Sequence, residues 1–99
     1  MVKHVILWTL KEEDEAKKAE IKKGIKANLE GLAGQIPGLV EIKVNTEPLA
    51  SSNADVMLDS LFDNEDALKG YSGHPAHVAV ANEFVRPYTA TRTCMDYEV

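Results

Sequence analysis

The sequence predicts an α+β fold in which four strands and two helices follow one another in the order βαββαβ. Residues 2–10 form a short stretch rich in β-branched and aromatic residues, which is typical of a strand. Between residues 14 and 33 apolar residues recur every three or four positions, the spacing of an amphipathic helix. Residues 39–46 alternate apolar and polar side chains, which indicates a half-buried strand. Elements in this order build an antiparallel sheet that carries both helices on one face.

The first strand carries apolar side chains on both of its faces. Successive side chains of a strand point to opposite sides of the sheet, so its residues divide into two sets. One set is His4, Ile6, Trp8 and Leu10, and the other includes Val5 and Leu7. The first strand therefore offers apolar surface to both sides of the sheet.

The first helix is predicted over about residues 14–33. Its apolar stripe has spacings of four, four and three and consists of Ile21, Ile25, Leu29 and Leu32. Gly24 weakens this helix by ~1 kcal/mol relative to alanine without abolishing it. Gly31, Gly34 and the pair Pro37-Gly38 then end it.

The second half of the chain repeats the strand and helix signals. In the second strand Val40, Ile42 and Val44 are expected on one face. Residues 56–62 resume the strand pattern, and the segment Asp63-Asn64-Glu65-Asp66 supplies a cap and first-turn acids for a short helix.

A last helical segment is expected to open at Gly73-His74-Pro75, because proline suits the first position of a helix. Pro87 ends this segment, and residues 88–97 read as the final strand. The apolar side of the helical segment is Val80, Ala81, Phe84 and Val85.

The face of the sheet away from the helices is expected to be covered by a second copy of the chain. The first and third strands present apolar residues on both faces, and leaving one face in water would expose a larger apolar patch than monomers usually tolerate. Two-fold pairing is the commonest way to cover such a face. The sequence therefore predicts a homodimer.

Composition narrows the class of protein. A chain of 99 residues is expected to form one domain spanning residues 1–99. A formal net charge of −5 argues against nucleic acid as a partner, because phosphate binding needs a concentrated basic face. No apolar run approaches the ~18 residues that a membrane span requires, and the apolar N-terminus is too short for a secretory signal. The expected protein is soluble and cytoplasmic, with no membrane partner.

The one cysteine, Cys94, allows no internal disulfide and no cysteine-rich metal cluster. It is expected to be a buried, small apolar residue rather than a nucleophile. His74 and His77 are spaced to reach a common ion from one helical turn, but a structural zinc site needs four ligands. Neither a metal nor a cofactor is therefore expected.

The densest group of chemically versatile residues is the segment Tyr71-Ser72-Gly73-His74-Pro75-Ala76-His77. It places a phenol and two imidazoles at a corner between two helical segments, and His4 joins them if the first strand passes beneath that corner. Imidazole is the side chain best suited to move protons near neutral pH. A tyrosine and a histidine together can hold an enol or phenol oxygen and move its proton.

Each of these residues also has a purely structural interpretation. His74 precedes a proline and suits the start of a helix, whereas His77 has no such local explanation. Tyr71 can serve as core packing with a solvated hydroxyl. His4 can be a core histidine whose hydrogen bonds are satisfied within the protein.

The chain resembles the stress-responsive A/B barrel (Dabb) family, a branch of the dimeric α+β barrel proteins, over its whole length. The resemblance is carried by Val2–Trp8, by Ile36-Pro37-Gly38, by Tyr71 with His74–His77, and by Asp96-Tyr97-Glu98-Val99. It implies a ferredoxin-like protomer and a homodimer whose two sheets face each other as a barrel.

The resemblance also suggests an activity. Plant relatives include a polyketide cyclase that closes a linear poly-β-ketone by an aldol step, and its acid/base pair matches Tyr71 and His77, with a histidine matching His4 nearby. Two pocket residues of that enzyme, a tyrosine and a histidine, are replaced here by Leu29 and Val56. The polar lining is therefore poorer, and the cyclase substrate does not transfer.

The resulting hypothesis is a protein that binds a small hydrophobic carbonyl or phenolic compound, with cofactor-independent acid/base chemistry of the cyclase or isomerase type. His77, Tyr71 and His4 are the candidate catalytic residues, and Tyr71 and His77 are expected to line one cavity. The candidate substrate-binding residues are His74, Trp8 and Phe84. The alternatives are a non-catalytic, stress-related dimeric module and an enzyme resembling the cofactor-free monooxygenases of the same barrel.

Overall fold

The computed structural model describes residues 1–99 and contains one four-stranded sheet with its helices. The strands are β1 (Val2–Leu10), β2 (Leu39–Asn45), β3 (Val56–Phe62) and β4 (Thr89–Glu98). The helices are α1 (Glu15–Glu30), α2 (Glu65–Gly73) and α3 (Pro75–Val80), and α3 runs directly into a π-helical segment, Ala81–Val85. The strands lie in the order β2-β3-β1-β4, and all neighbouring pairs are antiparallel. The predicted βαββαβ order is confirmed, with the second helical region divided at His74.

The core lies between the helices and one face of the sheet. Alternate residues of β1 are buried and begin with Val2 and His4, whereas Lys3, Val5 and Leu7 belong to the other face. The apolar stripe of α1 packs on the same face as the buried residues. The largest fully enclosed side chains of this core are Tyr71, Phe62, Ile25, Leu29, Leu32 and Leu58.

Side chains cap the start of each helix. The carboxylate of Asp14 accepts a hydrogen bond from the Lys17 N–H at 3.0 Å, and Asn64 accepts one from the Ala67 N–H at 2.9 Å. Both are N-cap residues of the preferred type, because each satisfies an amide that has no partner within its own helix. No helix has the combined length and apolar composition needed to cross a membrane.

The prediction for Val40 was wrong. Its side chain is 48% exposed, although Ile42 and Val44 are buried as expected. The pairing of β2 with β3 shifts register between Leu39 and Glu41. An irregularity of this kind inserts a residue into the alternation, so Val40 no longer shares a face with Ile42.

The prediction that Cys94 is buried was also wrong, because Cys94 is exposed. β4 is an edge strand that pairs only with β1, and the helices pack against the other three strands. The side chains of β4 that point to the helical side of the sheet therefore remain largely uncovered. This uncovered position places Cys94 beside the end of the core rather than inside it.

The opposite face of the sheet carries the apolar surface that the sequence predicts. It includes an ion pair of 2.7 Å between Lys3 and Asp59. Around that pair lie six apolar or aromatic side chains from β1, β3 and β4, and Met95 is 66% exposed. The six are Val5, Leu7, Met57, Leu61, Met95 and Tyr97, and we call this group the open face.

Two glycines after α1 adopt the left-handed backbone region, and they make a matched pair for a test. Gly34 has a φ of 79° and Gly38 has a φ of 81°. A Cβ on Gly34 would meet no atom within 4 Å, whereas a Cβ on Gly38 would overlap the Cβ of Ala67 in α2. Both positions penalise alanine through backbone strain, but only Gly38 adds a steric conflict.

We expect Gly34→Ala to lower the free energy of unfolding by ~1–2 kcal/mol through strain alone. We expect Gly38→Ala to cost a further ~1–3 kcal/mol, since α2 must move away from the new methyl group. Chemical denaturation of both variants measures the difference. Equal losses would mean that α2 yields without cost and does not pack rigidly at this point.

Candidate functional site

Tyr71, His77 and His4 meet beneath the corner between α2 and α3. Tyr71 lies near the end of α2, His77 lies in the first turn of α3, and His4 projects from β1 toward the helices. The ring centroids of Tyr71 and His77 are 4.1 Å apart with the planes tilted by 32°. The rings of His4 and Tyr71 meet edge to face at 6.0 Å. The structure thus brings together the three residues that the sequence singled out as catalytic candidates.

Phe62 at the end of β3 completes the packing around Tyr71. Its ring centroid lies 5.0 Å from that of Tyr71 and 6.3 Å from that of His4, in edge-to-face arrangements. Such aromatic pairs contribute ~0.5–1.5 kcal/mol beyond the area that they bury. The Tyr71 ring is therefore held in position by contacts on several sides.

The hydroxyl of Tyr71 is buried without a hydrogen-bond partner in the protein. The residue is only 1% exposed, so its phenol is shielded from solvent. Burial raises the pKa of Tyr71 well above its ordinary value, although the positive charge of Arg92 opposes the shift. The phenol is therefore protonated near neutral pH and is a hydrogen-bond donor. An unsatisfied buried donor of this kind costs ~1–3 kcal/mol.

His77 is held as a neutral imidazole. Its Nδ1 lies 3.3 Å from the carbonyl oxygen of Ser72. A carbonyl only accepts, so Nδ1 carries the hydrogen and donates it, which leaves the lone pair on Nε2. Burial lowers the pKa of His77, and the charges of Arg86, His4 and Arg92 lower it further against the effect of the Ser72 bond. At neutral pH His77 can therefore accept a proton at Nε2.

His4 is buried at the β1–β4 edge of the core and is bonded to Asp96. His4 is 6% exposed, and its Nδ1 lies 2.5 Å from Oδ1 of Asp96. The carboxylate accepts the hydrogen of Nδ1 and so fixes the orientation of the ring, which leaves Nε2 as the nitrogen without a partner in this pair. The sulfur of Cys94 lies 3.7 Å from the same Nδ1.

Asp96 and Cys94 are the site residues that the sequence analysis missed. Asp96 belongs to the C-terminal motif that carries the family resemblance, and Cys94 was expected in the core. The signal for both is strand register, because His4 pairs directly with Asp96 and Ile6 pairs with Cys94 across β1 and β4. Side chains opposite each other in an antiparallel pair lie on the same face and within contact distance.

The three candidate substrate-binding residues take other positions. Nδ1 of His74 accepts a hydrogen bond from the Ala76 N–H at 3.1 Å and caps α3, which agrees with the helix-start interpretation. Trp8 is buried in the core on the same face of β1 as His4. Phe84 is half-buried, with its ring close to Gly24 of α1. No ring-to-ring contact joins Trp8 or Phe84 to Tyr71.

Tyr71 and His4 are enclosed, whereas His77 at the corner is half-buried. None of the four principal surface clefts is lined by Tyr71, His77 or His4. One cleft of about 530 Å³ lies between the start of α1 and the segment Pro87-Tyr88. A groove of about 830 Å³ lies between α1 and the end of β2. The expected cavity shared by Tyr71 and His77 is thus not one of these clefts, and the two rings pack against each other instead.

Solved structures with the same fold cover nearly the whole chain. A dimeric protein of unknown function with a ferredoxin-like fold from Bacteroides fragilis is 30% identical, with a TM-score of 0.90 over 99% of this chain and 95% of that one. A dimeric ferredoxin-like protein of unknown function from Thermobifida fusca is 23% identical, with a TM-score of 0.82 over 99% and 90%. A hydroxynitrile lyase from Passiflora edulis is 19% identical, with a TM-score of 0.76 over 97% and 90%.

The sequence profile of one protein family matches nearly every residue. That family is described as the Stress Responsive A/B Barrel Domain, or Dabb, and the match covers residues 2–99. No curated protein matches the chain. The matched range includes all four strands, the α2–α3 corner and the pair of His4 and Asp96. The chain therefore belongs to the stress-responsive A/B barrel (Dabb) family.

Proposed function

We propose that the protein binds a small, mainly apolar carbonyl or phenolic compound beneath the α2–α3 corner and moves a proton on it without a cofactor. The observation that carries this proposal is the Tyr71 hydroxyl, a buried donor with no partner, whose ring lies against two imidazoles. A bound oxygen atom would satisfy that donor and recover the cost of its desolvation.

The proposed chemistry uses the two groups in complementary roles. Tyr71 donates a hydrogen bond to the carbonyl oxygen, and Nε2 of His77 takes a proton from the adjacent carbon. The electron pair of the broken C–H bond moves into an enolate whose negative oxygen is held by Tyr71. His77 then returns the proton to the enolate at a different carbon, and the electron pair of the enolate forms the new C–H bond of the isomerised product. General acid/base catalysis of this type typically contributes ~10²–10⁴-fold in rate.

His4 would orient the bound compound from the sheet side. Asp96 fixes its ring through Nδ1, so Nε2 is the nitrogen that remains to form a hydrogen bond with the compound. The rings of Phe62 and Tyr71 make the surroundings apolar. An apolar site with few polar groups favours small compounds that carry one or two oxygen atoms.

Entry of the compound would require the α2–α3 corner to move outward. Tyr71 is enclosed, whereas His77 and His74 at the corner are only half-buried. A compound would therefore reach the site from the corner. It would contact His77 before it reached Tyr71. The hydroxynitrile lyase named above is an enzyme on the same fold, which supports a catalytic use of this architecture.

We also propose that the protein acts as a homodimer through the open face. Two of the similar structures are described as dimeric, and the open face provides an apolar surface for a second copy. Each protomer would then keep its own enclosed site on the far side of the sheet.

The second candidate function is a dimeric module without catalysis. The burial of Tyr71 favours this alternative. A tyrosine that serves only as part of the core would also be enclosed and packed against Phe62. This alternative predicts that substitution of His77 changes stability but alters no response to a ligand.

A thermal-shift screen with phenols, β-diketones and quinones tests the proposal. A compound that binds only the native state at ~100 times its Kd raises the free energy of unfolding by ~2.7 kcal/mol. We expect one of these classes to stabilise the wild type, and Tyr71→Phe and His77→Ala to respond less. Tyr88→Phe is the matched control, since Tyr88 is exposed and lies at a different cleft.

The control variant must respond like the wild type. If Tyr71→Phe and His77→Ala also respond like the wild type, the compound binds elsewhere and the proposed site is wrong. If no class shifts the wild type, the non-catalytic module becomes the better account.

A further inference from the structure

We propose that His4, Cys94 and Asp96 form a binding site for a divalent transition-metal ion of the zinc class. This site shares His4 with the ligand site proposed above, but its other two ligands come from β4 and take no part in the proposed proton transfer. The three candidate ligand atoms lie within 4.8 Å of one another. They are an imidazole nitrogen, a thiol sulfur and a carboxylate oxygen, which are the three donor types that zinc takes from proteins.

The distances of the sulfur to the other two atoms match those of a tetrahedral zinc site. Bonds of roughly 2.3 Å to sulfur and roughly 2.0–2.1 Å to nitrogen or oxygen place such ligands ~3.6 Å apart at tetrahedral angles. The sulfur of Cys94 lies 3.7 Å from Nδ1 of His4 and 3.6 Å from Oδ1 of Asp96. Two of the three distances between ligand atoms therefore already have the values expected in a zinc site.

The third distance, between His4 and Asp96, must increase when an ion binds. Nδ1 of His4 and Oδ1 of Asp96 are 2.5 Å apart, whereas two zinc ligands of this type lie ~3.3 Å apart. The Asp96 side chain is 45% exposed, so it can swing outward without disturbing the core. His4 is buried and supplies the fixed member of the set.

The strand register explains why the three residues meet. His4 and Asp96 are direct partners in the antiparallel pair of β1 and β4, and Cys94 is two residues from Asp96 on the same face. No helix covers this part of β4, so an ion reaches the site directly from solvent. Three protein ligands leave one tetrahedral position for water or for an oxygen atom of a small compound.

Isothermal titration of the chelator-treated, full-length protein with ZnCl₂ tests the site. We expect one ion per chain with a micromolar or lower Kd. Loss of a partner that merely supports a metal ligand costs roughly 10–100-fold in affinity. We therefore expect Cys94→Ser and Asp96→Asn each to weaken binding at least ~100-fold. Both residues are exposed at the edge strand, so circular dichroism should show that the variants remain folded.

Matched variants separate this site from other histidine and aspartate positions. His74→Asn retains a capping oxygen for α3, and Asp59→Asn removes a carboxylate on the opposite face of the sheet. We expect both variants, and also Tyr71→Phe, to bind zinc like the wild type. Retention of binding by Tyr71→Phe would show that zinc binding does not need the Tyr71 hydroxyl, on which the proposed ligand site depends.

Cobalt provides a spectroscopic signature of the cysteine. Co²⁺ bound through Cys94 should show a thiolate-to-metal charge-transfer band that disappears in Cys94→Ser. The proposal is overturned if the wild type binds no zinc, if Cys94→Ser binds it as tightly as the wild type, or if His74→Asn abolishes binding.

Discussion

Replacement of Leu7 by aspartate is expected to convert the proposed homodimer into folded monomers. Leu7 lies on β1, a central strand, and its side chain points to the open face between Met57 and Thr93. A carboxylate at this position would be buried without a partner when two open faces meet, which costs several kcal/mol. A two-fold axis places two such charges in one interface. Because each 1.4 kcal/mol changes an equilibrium tenfold, the dissociation constant should rise at least ~1000-fold.

Leu49→Asp provides the matched control for this experiment. Leu49 is a 79% exposed leucine in the segment between β2 and β3 and is not one of the six open-face residues, although Pro48 and Ser52 of that segment line a cleft with Leu7 and Met57. Sedimentation velocity should find Leu49→Asp dimeric and Leu7→Asp monomeric at the same protein concentration. If Leu7→Asp remains dimeric, the two copies associate through another surface, such as a sheet edge, and the assignment of the open face is wrong.

The ion pair on the open face does not contradict this prediction. Lys3 and Asp59 neutralise each other at 2.7 Å, and hydrogen bonding to Asp59 raises the pKa of Lys3. A paired charge is tolerated in an interface, whereas an unpaired one is strongly unfavourable. The introduced aspartate at position 7 would have no cation directly opposite it, since its cross-strand neighbours are Met57 and Thr93.

The order of elements and the buried faces of most strands could be predicted from periodicity. The two sets of residues on β1 and the stripe of Ile25 and Leu29 on α1 are as expected. The predictions that Val40 and Cys94 are buried were wrong for different reasons. A bulge breaks the alternation that assigned Val40, and alternation shows which residues share a face but not whether a helix covers it. Coverage depends on where β4 lies in the sheet, which is a tertiary property.

The candidate site was only partly accessible to sequence reasoning. Tyr71 and His77 lie six positions apart, so their proximity is a local matter of one helical corner. His4 joined them through the resemblance to the family and through the expected passage of the first strand. Asp96 is 92 positions from His4 and reaches it only through the register of β1 and β4. Whether the Tyr71 hydroxyl has a hydrogen-bond partner depends on every side chain packed around it. Those side chains come from separate parts of the chain, so no local sequence pattern predicts the result.

Tyr71→Phe is expected to stabilise the ligand-free protein while it weakens the response to a ligand. The substitution removes a buried hydroxyl that has no partner and leaves the ring and its contacts with Phe62 and His77 in place. Removing an unsatisfied buried donor should raise the free energy of unfolding by ~1–3 kcal/mol. The ~2.7 kcal/mol that a saturating ligand adds to the wild type should largely disappear in the variant.

The order of stability of the two proteins should therefore reverse when ligand is added. Denaturation of both proteins, with and without a compound that stabilises the wild type, measures this reversal. Tyr88→Phe is the control, because substitution of an exposed tyrosine should change stability by less than ~0.5 kcal/mol in either condition. If Tyr71→Phe destabilises the ligand-free protein, its hydroxyl already has a partner in solution, and the proposed site loses its main support.

The reversal would also distinguish the two accounts of the Tyr71 side chain. A residue kept only for packing should be no worse as phenylalanine, since the ring makes all of its aromatic contacts without the hydroxyl. A residue kept for function lowers stability in the absence of ligand and recovers it on binding, which is the usual trade between stability and activity. Higher stability of Tyr71→Phe alone and lower stability with ligand would assign the hydroxyl to binding.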